Sequence, residues 1–113
     1  MLQNRLADAE NLLAEMLASA ESNNSSPTLI ALSKYRYSIA LARQGKYNKA
    51  QPLMEQAIQT QRQNLGIQHP ETIKTMEAYA LLLKTTNQTA EAERVSGVIK
   101  QVSYEEESND FER

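Results

Sequence analysis

The residues able to carry chemistry are few, and they do not form a constellation. His69 is the only histidine, and it precedes Pro70 at a break between two helical patterns. That position suits the start of a helix better than a metal ligand, because a metal site needs several clustered donors. Glu91 and Glu93, and the run Glu105-Glu106-Glu107, are carboxylates of the kind that general acid–base chemistry uses. No apolar stretch beside them would raise a carboxylate pKa, so they read as solvated faces. The absence of Cys excludes disulfides and thiolate metal sites. No glycine-rich phosphate loop occurs among the three Gly. Arg43, Lys46 and Lys49 make a small basic cluster, but a formal net charge of -2 gives no general pull toward nucleic acid. The expectation is a protein that is not an enzyme, with no cofactor, no metal and no nucleic-acid partner.

The elements that carry these side chains read as helices. The chain has 113 residues, enough for one domain with a modest core, and 41% are hydrophobic. Ala, Leu, Gln, Glu and Lys are abundant while Gly and Pro are scarce, which predicts an all-α chain of about five helices. Leu2, Leu6, Ala9, Leu13, Met16 and Leu17 fall at helical spacing and define a first helix to about Ala20. A polar loop leads to Ser26 and Pro27, an N-cap and a first helical residue, which open a second helix to about Gln44. Gly45 then stops the chain. A third helix from about Asn48 to Asn64 carries Ala50, Leu53, Met54, Ala57 and Ile58, with Pro52 tolerated near its first turn. Gly66 ends it, and Pro70 opens a fourth helix with Ile73, Met76, Tyr79, Ala80, Leu82 and Leu83. Asn87 stands where Gly45 stood, and a fifth helix runs from about Ala90 to Val102. The domain is placed at residues 1–103, and the acidic segment 104–113 is expected to be disordered. No uncharged apolar run has the length of a membrane span, and charges interrupt the start where a secretory segment would be apolar. A cytoplasmic protein that does not meet a membrane is the expectation.

The chain repeats itself at a shift of 42 residues. Tyr37 falls on Tyr79, Ser38 on Ala80, Leu41 on Leu83, Gly45 on Asn87 and Ala50 on Ala92. Small residues at matched sites let antiparallel helices approach closely. Ala9, Leu12 and Leu13 align with Ala50, Leu53 and Met54 at a shift of 41, so the first helix reads as the second member of a pair. Ser38, Gly45, Tyr47, Ala50 and Ala57 resemble the small-residue and turn positions of the tetratricopeptide repeat. The period, and Leu65-Gly66 followed by His69-Pro70 as linker, resemble its kinesin-light-chain type. The resemblance covers about residues 5–102 and implies an α-solenoid of antiparallel helix pairs.

That family binds peptides or partner helices in a concave groove lined by the first helix of each pair. Carried over by position, the groove is implied to include Tyr35, Arg36, Ile39 and Arg43 from one copy, with Leu32 nearby. The second copy supplies Lys74, Glu77, Leu81 and Lys84, with Ala78. Basic residues with aliphatic ones between them suit an acidic protein or peptide segment with one or two apolar anchors. The alternative for the same faces is a plain solvated helix surface. The paired asparagines usual in the kinesin-light-chain type are replaced by Tyr35-Arg36 and Glu77-Ala78, and the positions of a carboxylate clamp hold Tyr35 and Ile39. The function expected is a protein-interaction scaffold. The alternative is a structural module, either a homodimer through residues 2–17 or part of a longer array.

Overall fold

The computed structural model describes the backbone of residues 2–112 and the side chains of residues 5–102. Five helices follow in chain order: α1 (Leu2–Ser22), α2 (Pro27–Arg43), α3 (Tyr47–Asn64), α4 (Pro70–Thr85) and α5 (Thr89–Glu112). No strand occurs among the described residues. Each helix packs against the next in sequence, and α2 also touches α4. The chain is therefore an all-α array of antiparallel helix pairs, α2 with α3 and α4 with α5, with α1 laid against α2.

The turns follow from specific backbone bonds. After α2 the Gly45 N–H donates to the Ala42 carbonyl at 2.9 Å and the Lys46 N–H to the Leu41 carbonyl at 2.9 Å. Gly45 has φ +79, the left-handed conformation that this pair of bonds requires. The same geometry recurs after α4, where Asn87 has φ 63 and Gln88 donates to Leu83 at 2.8 Å. Asn tolerates that conformation better than other side-chain-bearing residues. At the opposite helix ends, the Ser26 Oγ accepts from the Leu29 N–H at 3.3 Å, and the His69 Nδ1 accepts from the Glu71 N–H at 3.1 Å. His69 is thus a helix cap.

The core forms where small and large residues meet. Ser38, Ala50, Ala57 and Ala92 are fully buried, and Leu41, Met54 and Leu83 fill the space around them. The buried Ser38 hydroxyl donates to the Tyr35 carbonyl at 2.6 Å, so the small side chain leaves no unpaired polar atom. At the joint between α3 and α4 the core turns polar. Gln61 and Thr72 are buried there, and the Gln61 Oε1 and Thr72 Oγ1 have no hydrogen-bond partner.

One helix boundary is corrected, and the uncovered part of α1 is located. The helix assigned to end near Val102 continues as α5 to Glu112, because no Gly or Pro follows Gly97 to stop it. The backbone of residues 104–112 is therefore helical, while the side chains of that stretch lie outside the described residues. The apolar stripe of α1 is only partly covered. Leu17 is buried and Leu6 and Leu13 are half-buried, but Ala9 and Met16 are exposed. The reason is geometric: α3 lies between α2 and α4, whereas α1 has α2 alone. Leu2 lies outside the described side chains.

Replacing Leu83, which is 0% exposed, with Ala should cost about 2–5 kcal/mol of folding stability. A Cβ added at Gly45 would meet nothing within 4 Å, so Gly45→Ala should lose only the backbone preference, about 1 kcal/mol. Urea unfolding of the two variants checks this order, and an equal loss in both would contradict it.

Candidate functional site

Helices α2 and α4 stand side by side and form one wall-and-floor surface. Ile39 and Arg43 of α2 face Ala78 and Leu81 of α4 across a hollow of about 320 Å³, floored by Met54 and Leu82. A second hollow of about 310 Å³ lies on the other side of Leu81, lined by Glu77 and Lys84 of α4 with Ile99 and Lys100 of α5. Leu81 is the ridge between them and is 66% exposed, an unusual exposure for a large aliphatic side chain. At the far end the Lys74 ammonium lies 6.0 Å from the centre of the Tyr35 ring, at the outer limit of a cation–π contact. Burial raises the pKa of the Tyr35 hydroxyl, the charge of Arg43 opposes that rise, and Glu77 adds to it. Tyr35, Ile39, Arg43, Lys74, Glu77, Leu81 and Lys84 thus share one continuous face. Arg36 is exposed next to Tyr35 but lines neither hollow.

The cations of this face form no ion pair among the described residues, although Glu77 lies on the same face. The ion pairs among the described residues are Lys46 with Glu10 and Arg94 with Glu91. Arg36, Arg43, Lys74 and Lys84 take part in neither. Lys46, the middle of the basic cluster at the α2–α3 turn, is held by Glu10 of α1 at 2.8 Å. Gln44 donates to the same Glu10 oxygen. These two contacts tie α1 to the turn and remove Lys46 from any free basic patch.

A third cavity, of about 540 Å³, lies on the opposite, convex side and was not legible in the sequence. Glu55, Gln59 and Arg62 of α3 face Glu91 and Arg94 of α5, and Tyr79 of α4 reaches its floor. The Tyr79 ring is in the core, as its repeat position implies, while burial and the nearby Glu55 raise the pKa of its hydroxyl. In sequence these polar residues look like any solvated helix face, and only the gap between α3 and α5 turns them into a cleft.

Two antiparallel pairs stacked with a shared concave face define a helical-repeat protein. The family model for the tetratricopeptide repeat matches residues 28–95, from α2 into α5, and the chain belongs to that family. No curated protein matches the chain. Tetratricopeptide repeats generally mediate protein–protein interaction, and no described helix is long and apolar enough to cross a membrane.

The Glu10 tie makes α1 docking sensitive to acid. Its hydrogen bond from Lys46, helped by Gln44, lowers the Glu10 pKa below the ordinary glutamate value. A group whose pKa is lowered on folding stabilises the fold above its unfolded pKa, and that stabilisation disappears as pH falls through the folded pKa. Stability should therefore fall below the ordinary glutamate range, and the fall should be shallower in Glu10→Gln. Thermal unfolding of both chains from neutral to acid pH checks this, and identical profiles would exclude the tie.

Proposed function

We propose that this protein is a non-catalytic scaffold that recognises a segment of another protein in the concave face between α2 and α4. The observation that supports this most is the set of basic side chains with no ion pair along one face: Arg43 at the apolar hollow bordered by the exposed Leu81, Lys84 at the hollow beyond Leu81, and Lys74 further along α4 beside Tyr35. An exposed large apolar group among mainly basic side chains, with Glu77 the acidic one, is the pattern of a contact surface. The partner would be acidic, with an aliphatic or aromatic side chain to fill the hollow beside Ile39 and Leu81. Arg36 would add charge at the rim, and Tyr35 an amphipathic contact at one end. The spacing of 42 residues and the Gly66-to-Pro70 linker support the kinesin-light-chain-like type of repeat, and the composition supports a cytoplasmic setting.

A second reading rests on α1. Leu12 is 58% exposed and Met16 45%, whereas α3, with which α1 aligns, has Ala50, Met54 and Ala57 buried under its neighbours. The uncovered face would seat an equivalent helix, whether from a second copy, giving a homodimer through residues 2–17, or from a further repeat of a longer array.

Replacing Arg36 and Arg43 together with Glu should weaken partner binding at least tenfold with helicity unchanged, and binding by the native chain should fall as salt rises. Calorimetry with a captured partner and circular dichroism measure the two. Unchanged affinity would remove the groove from the account. For the second reading, light scattering over a concentration series should show a dimer that Leu12→Glu with Met16→Glu dissolves, and a native chain that stays monomeric throughout would count against it.

A further inference from the structure

The segment that best matches the groove is in the chain itself. Residues 104–113 hold five of the fourteen acidic residues and one of the twelve basic ones, so the rest of the chain carries a small positive excess. The same segment contains Tyr104 and Phe111, seven residues apart, and Phe111 is the only Phe. It therefore combines carboxylates with apolar anchors, the composition that Arg43, Lys74 and Lys84 around the Leu81 ridge would select. Those cations form no ion pair among the described residues, so the domain itself leaves their charge unanswered.

The backbone decides how the two could meet. Helix α4 has 16 residues and α5, antiparallel to it, has 24. The last eight residues of α5, 105–112, thus extend about 12 Å past the start of α4 as continuous helix. Val102 is the last buried residue described. To reach the groove of its own chain, this helix would have to unwind and reverse. A second copy can receive it without any such change. We infer that the acidic end of α5, residues 104–113, docks in the concave groove of a second copy of this chain. This rests on the groove reading above and names its occupant. The contact joins two different surfaces, so it is heterologous and either closes reciprocally in a dimer or propagates. It also means that the groove and any outside acidic partner compete.

A labelled synthetic peptide of residues 103–113 tests this directly against the full chain, kept dilute enough to be monomeric by sedimentation. The expected result is saturable binding, weakened at least tenfold by high salt and by the full-length double variant Arg43→Glu with Lys84→Glu. The same peptide should dissolve the self-association expected at higher concentration. A full-length chain with Glu105→Lys, Glu106→Lys and Glu107→Lys should lose self-association yet still bind the native peptide, which shows its fold and groove intact. No peptide binding, or binding that the groove substitutions leave unchanged, would overturn the inference. Displayed peptides of random acidic sequence, selected in parallel, separate the two levels of failure. If they bind through Arg43 and Lys84 while residues 103–113 do not, the self-recognition fails and the groove stands. If neither binds, both fall.

Discussion

The structure depends on one constraint: helices that must come close enough to exclude water along their whole length. Ser38 and Ala50 do this for the first pair, Ala80 and Ala92 for the second, and all four are buried. A larger side chain at any of them would push two helix axes apart, and the interior is too closely packed to absorb that locally. The left-handed turns at Gly45 and Asn87 serve the same end. They reverse the chain within three residues, so the second helix begins already alongside the first. Because both pairs obey the same rule, their first helices lie side by side, and the concave face is a by-product of packing.

This division explains why the face carries the features it does. Most residues that hold the pairs together point away from it; Ile39 packs partly against the core, while Arg43, Leu81 and Lys84 are exposed and outside it. At a position without a packing role an exposed leucine is unfavourable in water, while an exposed cation is simply hydrated and open to a partner. The family to which the chain belongs makes protein contact the natural context for that surface.

The helices themselves were legible in the sequence because each is bounded by a residue with a local mechanism. Ser26 with Pro27, Gly45, Gly66, Pro70 and Asn87 all act where their type implies. The α1 stop was less clear: Asn24, at φ 52, makes the same turn that Gly45 makes, but sits hidden in a polar run. The end of α5 was placed too early because acidic composition argues against regular structure while the absence of any breaker permits helix. Periodicity put Ala9 and Met16 on one stripe of α1, but how much of that stripe is buried depends on having a neighbour on both sides. Repeat register alone, which encodes direction around a helix, was enough to put Tyr35, Ile39, Arg43, Lys74, Glu77, Leu81 and Lys84 on one face. The convex cleft could not, since its polar residues differ from ordinary surface only through the spacing of α3 and α5.

The polar joint at Gln61 and Thr72 has a mechanical meaning. Two rigid leaves, α2 with α3 and α4 with α5, meet along α3 and α4, and the width of the concave face is set by the angle at that seam. Elsewhere the seam is apolar and interlocked. Here it contains two buried oxygens that hold no hydrogen bond. The Leu65–His69 bend lies at the same end of the seam as these oxygens, so the covalent link between the two leaves and the polar part of their contact coincide.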